Sequence, residues 1–105
     1  MKIEKLKEIT KNFFKLEYDN FVKKHNFSLD KETFDYINGF NISFSGEELI
    51  WLRVSLKDNN EITIFGDGLV EICNENGFEI KGSNIHQKIK IFLIDLIKKT
   101  ELLQM

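Results

Sequence analysis

The chain has 105 residues, of which 30% are charged and 42% hydrophobic, with a formal net charge of −2 and one cysteine. That is enough chain for one α+β domain, 1–105, to build a core without staples, and a lone Cys73 excludes an internal disulfide framework and fits a reducing compartment. The opening MKIEKLKEIT has no apolar core of a signal peptide, and the longest apolar run is interrupted by Asp95, so neither export nor a membrane span is expected and the expected location is cytoplasmic.

The composition is biased. There is no Ala and no Pro, and one Arg stands against fourteen Lys among abundant Ile, Asn and Phe. This is the pattern of an AT-rich coding sequence, as in low-GC bacteria, their phages and mobile elements. Charge is also uneven: residues 1–25 carry seven Lys and four acidic residues (+3), residues 26–40 carry −2, residues 41–82 three basic and eight acidic residues (−5), and residues 83–105 four Lys and two acidic residues (+2).

Residues 1–25 read as one long amphipathic helix. Ile3, Leu6, Ile9, Phe13 and Leu16 trace one stripe, and Phe14, Tyr18, Phe21 and Val22 widen it, which predicts a second half buried on two sides. Residues 30–38 read as a short helix with Asp30 as N-cap and Gly39 as the stop.

Residues 40–82 read as a five-stranded antiparallel meander whose register follows from parity, because a one-residue slip exchanges the two faces of a strand. A loop at Ser45-Gly46-Glu47 pairs Ile42 with Ile50, and leaves Glu48 on the inner face as a flaw that a bulge would remove. A loop at Asp58-Asn59-Asn60 pairs Leu56 with Ile62 and Arg53 with Phe65. Gly66-Asp67-Gly68 pairs Ile64 with Val70, and Glu75-Asn76-Gly77 pairs Ile72 with Ile80 and Glu71 with Lys81. The predicted inner face comprises Phe40, Ile42, Phe44, Ile50, Leu52, Val54, Leu56, Ile62, Ile64, Val70, Ile72, Phe78 and Ile80.

Residues 84–103 read as a C-terminal helix that starts at Ser83 or Asn84, with Asn84 and Gln87 spaced as a capping box, and is apolar nearly all round, so it is expected between the sheet and the N-terminal helix. Both helices pack on one face of the sheet, because every strand connection is a hairpin. The tail Leu102-Leu103-Gln104-Met105 is apolar enough to pack or to meet another chain.

Chemistry is sparse. Cys73, His25 and His86 are too scattered for a metal site, and no cofactor is implied. Carboxylates near Cys73 raise a thiol pKa, and His86 reads as surface or boundary packing. Glu47, Glu48 and Asp67 lie in turns with no nucleophile or orienting partner, so no catalytic residue is assigned. Gly66-Asp67-Gly68 links two strands and is not a phosphate loop. Lys2, Lys5, Lys7, Lys11 and Lys15 alternate with Glu4 and Glu8 as a solvated helix face, and direct nucleic-acid binding is not expected.

The outer sheet face is where a site would lie. Arg53, Phe65 and Leu69 are expected in a row across three strands, with Trp51 and Leu49 beside them and Glu61, Glu71 and Glu79 as a fringe. Aromatic residues and an Arg inside a polar rim have the composition of an interface core. The alternatives are a self-contained cation–π cluster and coverage by the protein's own helix or tail.

These features imply a small, non-enzymatic protein-binding inhibitor from a phage or mobile element, of the anti-CRISPR and anti-defence class. Its partner would be a host protein, such as a nucleic-acid-binding effector, and a homodimer is compatible with this. One alternative is an immunity protein that neutralises a toxin. The other is an enzyme or small-molecule binder with a pocket between sheet and helices, which Glu48 with His25 or His86 would mark.

Overall fold

The computed structural model describes residues 2–102, in the order α1 (Lys2–Lys15), α2 (Tyr18–His25), α3 (Lys31–Tyr36), β1 (Ile37–Ser45), β2 (Glu48–Leu56), β3 (Glu61–Phe65), β4 (Val70–Cys73) and α4 (Asn84–Lys99). The fold is α+β. Its antiparallel sheet has four strands in the order β1-β2-β3-β4, rather than five.

The predicted fifth strand is reduced to a single bridge, Cys73 to Glu79, with the Ile80 N–H donating to the Ile72 carbonyl at 2.8 Å. The register is the expected one, but no ladder continues to Lys81, so the Glu71–Lys81 pair does not form. The chain instead turns off the sheet at Gly82, so close over Ile72 and His86 that an added Cβ would lie 2.6 Å from the Ile72 Cδ1. Phe78, expected inside, is 69% exposed beyond the end of the core.

The long first helix is broken at Leu16–Glu17, where Glu17 is extended. In a continuous helix, residues eight apart are separated by about 12 Å along the axis. Here the rings of Phe13 and Phe21 are 5.2 Å apart, which the break permits by folding α2 back on α1. The widening stripe is thus the mark of two helices sharing one core. The short helix spans Lys31–Tyr36, with the Thr33 N–H donating to Asp30 Oδ1 at 2.7 Å as expected for an N-cap. It runs straight into β1 at Ile37, so Asn38-Gly39 form an irregularity within the strand rather than a helix stop.

The sheet registers separate cleanly. Ile64–Val70, Thr63–Glu71 and Ile62–Ile72 pair as expected, with Gly68 left-handed at φ 96°. Between β2 and β3 the loop has the expected three residues but lies one position earlier, at Lys57–Asn59, because Asn59 takes the left-handed conformation (φ 68°). The pairs become Val54–Ile62, Arg53–Thr63 and Trp51–Phe65. A two-residue shift preserves parity, so the faces are unchanged. The first hairpin does change them. Its turn is Gly46-Glu47, and a register shift between Ser43 and Phe44 pairs Phe44 with Leu49 and leaves Ile50 unmatched. Leu49 therefore turns inward (2% exposed), Ile50 turns out (42% exposed), and Glu48 is exposed.

The core lies between the inner sheet face and the helices. Leu52, Val54, Leu56, Ile62 and Ile64 are buried with Ile89, Phe92, Leu93, Leu96 and Ile97 of α4. At its centre, the Phe13 ring lies 5.2 Å from Phe21, 4.3 Å from Phe34, 5.1 Å from Phe40 and 5.9 Å from Phe92, joining α1, α2, α3, β1 and α4. Each such fully buried side chain contributes about 1.5–3 kcal/mol before conformational entropy is subtracted. The predicted 84–103 helix ends at Lys99. Leu102 is buried, while Leu103, Gln104 and Met105 lie outside the described residues.

Candidate protein-binding face of the sheet

The outer sheet face is built in three cross-strand rows. Ser43, Trp51, Phe65 and Leu69 form the first, with the Phe65 N–H donating to the Leu69 carbonyl at 2.8 Å. Asn41, Arg53, Thr63 and Glu71 form the second, and Gly39, Ser55, Glu61, Cys73 and Glu79 the third. The expected row of Arg53, Phe65 and Leu69 thus becomes Trp51, Phe65 and Leu69, with Arg53 in the next row.

Arg53 reaches between the two rows. Its guanidinium carbon lies 4.5 Å from the centroid of the Trp51 ring, and its Nε donates to Thr63 Oγ1 at 2.9 Å. Thr63 is buried, although it is on the outer side of the sheet. Part of the cluster therefore covers itself: the cation–π contact with Trp51, worth about 0.5–1 kcal/mol at exposed sites, and the bond to Thr63 hold the guanidinium over the face. Trp51 and Phe65 remain half-exposed, Leu69 is 65% exposed, and Ile50 opens outward next to Trp51.

The acidic fringe is set by the same rows. Glu71 and Glu79 are exposed, and Glu61 is half-buried. Cys73 lies among them, and its thiol is held above its ordinary pKa by burial first and then by Glu71 and Glu79. A thiol shifted in that direction is a poor nucleophile at neutral pH.

Of the predicted interface residues, Trp51, Arg53, Phe65, Leu69, Glu61, Glu71 and Glu79 share this face. Leu49 does not, because the bulge turns it into the core. Ile50 takes the outward place, and the signal that could have found it was the awkward inner position of Glu48.

The other candidate groups are dispersed. His86 is buried at the start of α4, where its Nδ1 accepts the Ser83 N–H at 3.0 Å and its Nε2 lies 2.7 Å from Asp58 Oδ2. Of the two expected starts the helix takes Ser83, with His86 rather than Gln87 completing the cap, and His86 is buried rather than on the surface. His25 ends α2, and its Nε2 accepts from Asn12 Nδ2 at 3.1 Å. It shares a groove with Lys99 at the far end of α4, about 20 Å along the helix from His86, so the two histidines do not converge. Grooves of about 670 Å³ beside Lys2, Lys5 and Glu101, and of about 480 Å³ beside Ile91 and Asp95, lie on helix surfaces. Among the described residues, no group of three or more His, Cys, Asp or Glu could hold a metal ion, and no helix is long and apolar enough to cross a membrane.

No protein-family model, curated protein or solved structure matches this chain.

Proposed function

We propose that this chain is a stoichiometric protein-binding inhibitor of the anti-defence class, of phage or mobile-element origin, which docks the outer face of its sheet on a host protein in the cytoplasm. The observation that carries the reading is the open row of Trp51, Phe65 and Leu69, extended by Ile50 and rimmed by Glu61, Glu71 and Glu79. Large apolar side chains on a flat sheet give an interface core, and the acids select a basic partner surface and speed encounter with it. A nucleic-acid-binding effector offers such a surface. The AT-rich composition, with fourteen Lys to one Arg, supports the origin.

The test is affinity capture from lysates of low-GC bacterial hosts, comparing the wild type with a Trp51→Glu, Phe65→Glu variant. The reading expects a partner retained by the wild type, lost by the variant and weakened by added salt. A folded variant that retains the same partner would place the contact elsewhere.

A further inference from the structure

Among the described residues, β1 is the outermost strand of the sheet, paired with β2 alone. Natural edge strands are normally protected by lysine, proline, short length or a covering element. Ile37–Ser45 is nine residues long and carries neither a charge nor a proline. Between its two irregularities, at Ile37/Gly39 and Ser43/Phe44, the run Gly39–Ser43 is regular. Among the described residues, no backbone hydrogen bond from outside the β1–β2 pair reaches residues 38–45.

An apolar fringe runs along the same edge. Phe40, Ile42 and Phe44 are only half-buried. Phe14 of α1 is 52% exposed and sets its ring 5.7 Å from that of Phe40. The edge thus combines free backbone groups with incompletely covered inner-face side chains.

The geometry points to a second copy of this chain as the occupant: two β1 strands pair antiparallel about a two-fold axis at Asn41 and join the two sheets into one. Self-complementarity selects a copy. In a register centred on Asn41, Phe40 faces Ile42 of the second copy and Gly39 faces its Ser43, so apolar inner positions meet each other and uncharged outer positions meet each other. Charge directs the copy to this edge. Residues 41–82 hold three basic and eight acidic residues, with Glu61, Glu71 and Glu79 on the outer face, so stacking two outer faces would oppose like charges, whereas β1 itself carries none and Lys7, 5.6 Å over the Phe44 ring, lies beyond the regular run Gly39–Ser43. The resulting two-fold pair is the commonest closed symmetry. It leaves the row of Trp51, Phe65 and Leu69 open, so it goes beyond the docking function and does not depend on it.

The test is sedimentation velocity of the full chain over a concentration series, with Asn41→Lys and with the Trp51→Glu, Phe65→Glu variant alongside. Asn41 is exposed, so Lys there leaves the monomer fold intact by circular dichroism while opposing like charges at the axis. The wild type and the outer-face variant are expected to reach twice the monomer mass. Asn41→Lys is expected to weaken association several-fold, and wild-type amide exchange over residues 39–43 to slow as concentration rises. A wild type that stays monomeric at its solubility limit overturns the proposal. So does an Asn41→Lys protein that dimerises like the wild type, or a dimer lost only in the outer-face variant.

Discussion

The Nε2 of His86 lies 2.7 Å from Oδ2 of Asp58, which ties the start of α4 to the β2–β3 loop across 28 residues of sequence. Because Nδ1 accepts the Ser83 N–H, Nε2 carries the proton and donates it to the carboxylate. One imidazole thus caps a helix and anchors a turn.

Removing that ring takes one hydrogen bond from each of two groups at the protein surface, the Asp58 carboxylate, whose side chain is 26% exposed, and the Ser83 N–H. His86→Ala is expected to lower stability by about 1–3 kcal/mol in all, the net worth of two hydrogen bonds. Asp58→Asn, which keeps an acceptor oxygen, should cost less. Denaturant melts of the two single variants and the double variant measure the coupling; additive losses would contradict a direct bond.

Acid should act in two stages. Burial, and then Lys24, hold the His25 pKa below its ordinary 6.5, so the unfolded chain takes up this proton first and stability declines as the pH falls below about that value. Asp58 is affected oppositely by burial, which resists its ionisation, but hydrogen bonds from the Asn60 N–H, His86 and Tyr36 outweigh this and hold its pKa below 3.8. Its contribution is therefore present above about 3.8 and is lost as the pH falls through the lowered folded value. Melting temperature followed from pH 7 to pH 2 reads both stages, and His25→Gln is expected to remove the first alone.

Phe13 and Phe14 are adjacent in sequence and should differ sharply in consequence. Phe13→Ala opens the centre of the aromatic cluster and is expected to cost about 3–5 kcal/mol. Phe14, half-exposed at the sheet edge, should cost well under half of that on truncation. Equal losses in chemical denaturation would show that Phe13 is not the hub.

Gly66 is required by a close approach of backbones rather than by its turn. Its N–H donates to the Ile50 carbonyl at 2.9 Å, and a Cβ there would lie 2.1 Å from the Leu49 carbonyl oxygen. Gly66→Ala must push the bulge away and is expected to cost about 1–3 kcal/mol, the scale of overpacking. Since the bulge directs Ile50 outward, partner binding should weaken with it.

Parity made much of the sheet legible. Alternation alone identifies the faces of β3, β4 and β2 from Trp51 onward, and survives the two-residue shift at Asn59 because such a shift preserves parity. It fails at Glu48–Ile50, where one extra residue exchanges the faces and strings of apolar residues on both sides hide the exchange. The break at Leu16–Glu17 was hidden for a different reason: no Gly or Pro marks it, and it exists because Phe21 gains more by packing on Phe13 than a straight helix allows. The pairing of His86 with Asp58 joins distant segments, and nothing local in either segment signals it. Of the outer-face cluster, sequence pattern placed seven residues on the correct side and missed Ile50 for the bulge's sake.

The proposed inhibition of a host defence by the outer sheet face can be read in living cells. Its most direct measurement is the plating of a targeted phage on cells with an active CRISPR interference system, with the wild type or the Trp51→Glu, Phe65→Glu variant expressed at equal level. The wild type is expected to restore plating and the folded variant is not. Equal restoration by both would contradict it, and so would failure of the wild type to restore plating in any host whose lysate yields its partner.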